Sequence, residues 1–125
     1  MESKSLAMRI ALQNSSLIGK VALVTGAGRG IGKVIALGFA REGADIVAVS
    51  RTLAQVEETA REVEALGRRA LAIVADISRS NDVRSIAEQV QHSFGGLDVL
   101  VNNAALRMNQ LGKKDSYYIS FTELT

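Results

Sequence analysis

Short apolar runs alternate with stretches of helical periodicity along most of the chain, and no other feature limits its fold as strongly. The apolar runs are residues 21–25, 46–49, 71–75 and 97–101. The helical stretches are residues 29–42, 53–66 and 83–94. Runs that are apolar throughout are typical of strands covered on both faces, and strand–helix alternation implies right-handed crossovers in a parallel sheet. We therefore expect an α/β fold with an incomplete, doubly wound parallel sheet of four strands in the order 3-2-1-4 and three helices.

Composition excludes several classes of protein. The 125 residues leave room for one domain, and the absence of cysteine rules out disulfides and thiol chemistry. The single histidine, His92, cannot supply a His-rich metal centre or a Ser–His relay, so we assign no metal site. The only feature in favour of a nucleic-acid binder is the pI of 9.2. A net charge of +2, scattered basic residues and a share of only 4% aromatic residues disfavour this class. The apolar runs are also too short to cross a membrane.

A glycine-rich run, TGAGRGIG at residues 25–32, lies where the first strand gives way to the first helix. At such a junction, backbone N–H groups and a helix N-terminus can face a phosphate. A Walker A loop needs Ser or Thr after Gly-Lys, but Val34 stands there, and G-x-G-x-x-G fails from either Gly26 or Gly28. The spacing that fits is G-x-x-x-G-x-G, with glycine at 26, 30 and 32. The alternative, a tight turn without a ligand, would not need so many glycines, so phosphate binding is the preferred interpretation.

Four ordered motifs within residues 17–125 resemble those of the short-chain dehydrogenase/reductase family. They are the first strand with its lead-in (17–25), the glycine-rich run, Asp76-Ile-Ser78 after the third strand, and Asn102-Asn-Ala-Ala105 after the fourth. Ala105 replaces the family's usual glycine and adds one methyl group beside the cofactor path. The resemblance implies a Rossmann-type fold and an NAD(P)-dependent oxidoreductase that moves hydride between nicotinamide and a small alcohol or carbonyl. It also implies a homo-oligomer for a complete subunit.

The resemblance further implies roles for single residues. The glycines let the backbone approach the pyrophosphate, Ile31 packs near the nicotinamide end, Asp76 accepts a hydrogen bond from the adenine amino group, and Asn102 fixes the strand end and the ribose. The residues assigned in this way are Gly26, Gly28, Gly30, Ile31, Gly32, Asp76, Ile77, Asn102, Asn103 and Ala104. Two alternatives stay open: Asp76 as a helix N-cap, and the tandem asparagines as polar loop starters.

The end of the second strand bears on the choice of cofactor. An NAD-preferring site has an acidic residue about 20 residues beyond the glycine turn, where it binds the ribose 2′-hydroxyl. Here Arg51 stands at that distance, next to Ser50, and Asp45 lies at the opposite end of the strand. Together with Arg29 in the glycine-rich run, Ser50 and Arg51 predict NADP(H) rather than NAD(H), because a 2′-phosphate favours guanidinium groups. The alternative is that both arginines are ordinary surface residues.

The family's catalytic groups, Ser and Tyr-x-x-x-Lys, have no counterpart in the sequence. Phe121 and Thr122 stand four positions after Tyr117 and Tyr118, so we assign no catalytic residue. We expect residues 1–17 to be a flexible extension without a targeting signal, in a cytoplasmic protein. We expect residues 18–125 to be a partial NAD(P)-binding domain, inactive alone, that ends before the catalytic segment. The alternative is a non-catalytic nucleotide-binding module.

Overall fold

The structure is a computed structural model that describes residues 17–103, in which strands and helices alternate as expected. The elements are β1 (Val21–Thr25), α1 (Gly30–Arg41), β2 (Asp45–Ser50), α2 (Leu53–Ala65), β3 (Ala70–Val74), α3 (Ser80–Phe94) and β4 (Val99–Val101). The strands form one parallel sheet in the order β3-β2-β1-β4. The predicted fold class, strand order and number of helices are therefore confirmed for this part of the chain.

The boundaries of β1 are as predicted, those of the other three strands differ by one or two residues, and polar contacts accompany the largest difference. The fourth strand begins at Val99 instead of Leu97. Asp98 precedes it, and its carboxylate accepts a hydrogen bond of 2.9 Å from the backbone N–H of Val21. Its backbone N–H donates to the carbonyl oxygen of Val21, also at 2.9 Å. Asp98 therefore joins the starts of β4 and β1.

Buried residues form two clusters, one on each face of the sheet, because successive strand residues point to opposite faces. Along β2, Ile46 and Ala48 belong to the cluster that packs against α1 and α2, whereas Val47 and Val49 belong to the other. That second cluster includes Ile86 and Val90 of α3. Apolar residues are thus needed at the four inner positions of this strand, 46–49, which accounts for the lack of polar alternation there.

The face of α1 that helical spacing predicts is at least partly buried at Ile35, Phe39 and Ala40, but not at the start of the helix. Ile31 and Val34 would face the core in that pattern, but their side chains are 73% and 67% exposed. The residues of α1 that are buried are Gly32, Ala36 and Ala40, spaced four apart. Small residues on this stripe let the helix backbone approach the sheet closely, so Ile31 and Val34 are turned outward, while Ile35 and Phe39 pack against the edge of the core.

Several sequence predictions concern residues outside the part of the chain that the structure describes. The extension (1–17) and the segment after Asn103, with Ala104 and both tyrosines, lie outside the described residues except for Leu17. Within residues 17–103, no helix has the length and hydropathy needed to cross a membrane.

Candidate functional site

The predicted site residues meet at one edge of the sheet, where all four parallel strands end. The ladder pairs Thr25 with Val49 and Ser50 with Val74, so these strands stop at nearly the same level. Beyond that level come the glycine-rich run after β1, Ser50 and Arg51 at the end of β2, Asp76 after β3, and Asn102 and Asn103 after β4. In open parallel sheets, ligands bind in the crevice outside this edge.

Two glycines of the run lie in close contact with neighbouring elements. A Cβ on Gly32 would lie 2.0 Å from the carbonyl oxygen of Gly26 and 2.6 Å from the side-chain nitrogen of Asn103. A Cβ on Gly28 would lie 2.9 Å from two side-chain atoms of Gln55 and 3.0 Å from the hydroxyl of Ser50. The backbone of the run is therefore packed between α2, β2 and the end of β4.

The first turn of α1 opens towards this edge. The helix begins at Gly30, which has a φ of +58°, and a Cβ there would meet no atom within 4 Å. Arg29 precedes the helix in extended conformation, makes no side-chain capping bond, and no acidic residue lies in the first turn. Such an N-terminus carries the positive end of the helix dipole and can receive an anion.

The position of Lys33 agrees with the rejection of a Walker A loop. Its ammonium contacts the carboxylates of Glu62 and Glu58, both on α2. The hydrogen bond with Glu62, and then the charges of both glutamates, raise its pKa above the ordinary value against the effect of burial. Lys33 therefore joins two helices instead of serving a phosphate.

Thr25, which the sequence analysis did not assign to the site, connects the ends of β1 and β4. Its hydroxyl oxygen accepts a hydrogen bond of 2.9 Å from the N–H of Asn103 and lies 3.0 Å from the side-chain oxygen of Asn102, to which it donates. This geometry gives the tandem asparagines a structural connection to the glycine-rich run. The sequence signal would have been the hydroxyl residue directly before Gly26.

Asp76 lies in a turn before α3, and the alternative that it caps the helix is wrong. The helix begins at Ser80 after Arg79, and the carboxylate of Asp76 instead accepts hydrogen bonds from the N–H and hydroxyl of Ser78, at 3.0 and 2.6 Å. These two bonds, and then the charges of Arg79 and Arg51, hold the pKa of Asp76 below its ordinary value. Asp82 supports the turn by accepting a 2.8 Å bond from the Asp76 N–H.

The predicted 2′-phosphate residues are only partly brought together. Ser50 lies beside Gly28, but its hydroxyl already exchanges hydrogen bonds with the N–H and carbonyl of Thr52, at 3.2 and 3.1 Å. Arg51 is exposed and near enough to Asp76 for its charge to act on that carboxyl. Arg29 is exposed as well, so both arginines are available to a ligand.

The last two predicted residues differ in exposure. Ile31 projects from the first turn of α1 into open space, while Ile77 packs partly against the core on the α3 side. Among the described residues, no group of three or more His, Cys, Asp or Glu could hold a metal ion.

Comparison with known proteins identifies the family. The family model for short chain dehydrogenase matches residues 20–119, so the chain belongs to this family of oxidoreductases. L-sorbose reductase from Gluconobacter frateurii, solved with NADPH and L-sorbose, is 45% identical with a TM-score of 0.72 over 74% of this chain and 36% of its own. A metagenomic short-chain oxidoreductase solved with NADP is 41% identical with a TM-score of 0.69, over 74% of this chain and 42% of its own.

Relatives known from sequence differ in length. The 2-dehydro-3-deoxy-D-gluconate 5-dehydrogenase of Escherichia coli is 43% identical over 73% of this chain, and the match spans 35% of that relative. A short-chain dehydrogenase/reductase homolog of Bacillus subtilis, YusS, is 42% identical over 73% of this chain, and here the match spans 84% of the relative. Two further relatives, an uncharacterized oxidoreductase of Mycobacterium tuberculosis and the ketoacyl reductase HetN of Nostoc, are matched over only about a third of their own length.

Proposed function

We propose that the edge formed by the strand ends binds NADP(H), and that residues 18–125 act as the cofactor-binding part of a short-chain oxidoreductase. The observation that carries this proposal is the close packing of the run, at Gly32 against backbone where no Cβ fits and at Gly28 against the Gln55 side chain, beside the uncapped first turn of α1. This is a backbone cradle with a positive helix terminus, which suits a pyrophosphate. The neighbours solved with NADPH and NADP support the same ligand class.

The residues present fit a dinucleotide. The first turn of α1 would receive the pyrophosphate, Asp76 would accept from the adenine amino group, and Asn102 would lie by the ribose. When bound, the nicotinamide would supply or take up the hydride that is exchanged with an alcohol or carbonyl. The chain's own contribution is to hold the cofactor by these groups.

NADP(H) rather than NAD(H) is proposed because β2 ends without an acidic side chain at Ser50 and Arg51. Each charge-assisted hydrogen bond contributes roughly 1.5–3 kcal/mol, so Arg29 and Arg51 together imply a preference of about tenfold to several hundredfold after losses to solvent. The Ser50 hydroxyl would have to turn from Thr52 to donate as well.

The test compares two adenine ligands by calorimetry on the full chain. 2′,5′-ADP carries the 2′-phosphate and 5′-AMP lacks it, so the first should bind more tightly by the factor above. Arg51→Ala should remove most of that difference, whereas Arg61→Ala, at an exposed position on α2, should leave it unchanged. Equal affinities for the two ligands in the unmodified chain would overturn the NADP(H) proposal.

The second candidate is a nucleotide-binding module without catalysis. It is favoured by the absence of Tyr-x-x-x-Lys from the 125 residues and by the match that spans 84% of a relative. Both candidates require the same cofactor site, and they differ in whether the gene encodes a Ser and a Tyr-x-x-x-Lys beyond these residues, which sequencing of the reading frame and the adjoining DNA tests.

A further inference from the structure

Thr59 of α2 is a polar side chain with no exposure to solvent. Its hydroxyl donates a hydrogen bond of 2.8 Å to the carbonyl oxygen of Ala27, 32 residues away in the glycine-rich run. The carbonyl of Gln55, one turn earlier in its own helix, lies further off at 3.2 Å. Thr59 thus connects a helix that carries none of the predicted site residues to the centre of the run.

The run is held at Ala27 from two sides. The N–H of Ala27 donates to the carbonyl oxygen of Val49 on β2, at 3.1 Å, while its own carbonyl accepts from Thr59. Ala27 is fully buried, so neither polar group can turn to water instead. Gln55 lies four residues before Thr59 on the same side of α2, and its side chain packs against Gly28.

The direction of the Ala27 carbonyl fixes the direction of the next N–H. The peptide bonds of the described chain are not cis, and in a trans peptide the carbonyl and the following N–H point to opposite sides. Because the carbonyl of Ala27 points towards α2, the N–H of Gly28 points away from α2. Without the Thr59 hydroxyl, this buried carbonyl would lose its partner, and the peptide plane would be free to rotate.

We propose that Thr59 is a positioning residue of the cofactor site, which keeps the N–H of Gly28 turned outward as a donor to a phosphate group of the dinucleotide. This inference rests on the proposed function. Thr59 contacts no ligand itself and acts through the Ala27–Gly28 peptide. The alternative is that its hydrogen bond stabilises the fold without affecting the ligand.

The test uses the full chain and three substitutions. Thr59→Val keeps the shape of the side chain and removes the hydroxyl, while Thr59→Ser keeps the hydroxyl. Val63→Ala, one turn further along α2 at a fully buried position, serves as a control that destabilises the same helix without removing this bond. For each variant, the affinity for NADPH, the melting temperature and the amide resonance of Gly28 are measured.

We expect Thr59→Val to weaken NADPH binding by roughly tenfold and, in NADPH-saturated samples where the phosphate protects it, to speed hydrogen exchange at the Gly28 amide. Thr59→Ser should retain both the NADPH affinity and the slow exchange of the Gly28 amide. Val63→Ala should lower the melting temperature with little change in affinity. If Thr59→Val lowers only the melting temperature, the hydroxyl has a structural role alone and the inference is overturned.

A measurement on the unsubstituted chain covers the case in which Thr59→Val does not fold. Added NADPH should move the Gly28 amide proton downfield, as expected for an N–H that donates to a phosphate. NADPH binding that leaves this resonance in place overturns the role of Gly28, and with it that of Thr59. If no dinucleotide binds to the unsubstituted chain, the proposed function itself fails, which is a different result from equal binding by the chain and Thr59→Val.

Discussion

The N–H of Asn103 donates to the hydroxyl oxygen of Thr25, so the ends of β4 and β1 are joined by a side chain beyond the last backbone pair of their ladder. The same hydroxyl donates to the side chain of Asn102. Thr25 is buried, so removing its oxygen would leave groups of both asparagines without this partner. The glycine-rich run and the asparagine pair are therefore coupled through the Thr25 hydroxyl as well as by the packing of Gly32 beside Asn103.

We predict that Thr25→Val destabilises the chain by about 0.5–1.5 kcal/mol, the net contribution of a hydrogen bond whose partners, Asn102 and Asn103, are exposed and half-buried. Thr25→Ser keeps the hydroxyl and should recover most of this loss. Urea unfolding followed by circular dichroism gives both values. Equal stability of the Val and Ser variants would contradict the assigned role of the hydroxyl.

Replacing two glycines of α1 by alanine should change the stability of the chain in opposite directions. At Gly32, a Cβ would lie 2.0 Å from a backbone oxygen, so Gly32→Ala must displace the run, at a cost of about 1–3 kcal/mol or more, and weaken nucleotide binding. At Gly38, a Cβ meets nothing within 4 Å, so Gly38→Ala should stabilise the helix by about 0.4–1 kcal/mol. Thermal unfolding of both variants tests this. A stable, ligand-binding Gly32→Ala chain would show that the approach is not so close.

The hydrogen bonds in the turn at Asp76 predict that the stability of the fold depends on pH in the acidic range. Because its pKa is lowered in the folded chain, the ionised carboxylate stabilises the fold above the ordinary aspartate pKa, and this contribution is lost as the pH falls through the lowered value. Ser78→Ala removes the largest cause of the shift and should move the pKa of Asp76 up towards its ordinary value. Titration of the carboxyl carbon by NMR measures this.

Ser80→Ala is the matched control for that titration, because Ser80 is also exposed and begins α3 without bonding to Asp76. The stability difference between the unmodified chain and Ser78→Ala should be present near neutral pH and disappear in strong acid. An unchanged Asp76 titration in Ser78→Ala would show that the Ser78 hydroxyl does not control the pKa of this carboxyl.

The sheet is predicted well from the sequence because each strand can be recognised from a few neighbouring residues. Each strand is a short run of apolar residues, and in a parallel sheet the residues that follow such runs meet at one edge, which places Gly26, Ser50, Asp76 and Asn102 together. The hydrogen bond from Thr59 to Ala27 joins residues that are 32 positions apart. The sequence around a threonine in a helix does not indicate that its hydroxyl has such a distant partner. This hydrogen bond could be found only once the packing of α2 on the run was known.

Sequence periodicity is also a poor guide where small residues are buried. In α1 the apolar pattern correctly indicates that Ile35, Phe39 and Ala40 pack in or against the core. It also indicates Ile31 and Val34, which are exposed because Gly32 and Ala36 form the close contact. Likewise, Asp76 followed by Ser78 is compatible with a helix cap or with a turn before the helix. Only the start of α3 at Ser80 distinguishes these arrangements.

The last prediction concerns catalysis by the 125 residues themselves. Neither Tyr117 nor Tyr118 is followed four positions later by lysine, so the proton donor implied by family resemblance has no counterpart here. General acid–base assistance is typically worth about 10²–10⁴-fold in rate, so its absence leaves turnover too slow to observe. We expect the chain to bind NADPH without oxidising it in the presence of small aldehydes and ketones. Absorbance at the NADPH band measures this, in samples whose binding has first been confirmed by calorimetry so that an inactive chain is distinguished from an unfolded one. Sustained oxidation beyond one equivalent per chain, lost in Arg51→Ala, would show that these residues form an active enzyme by a route other than the family's tyrosine.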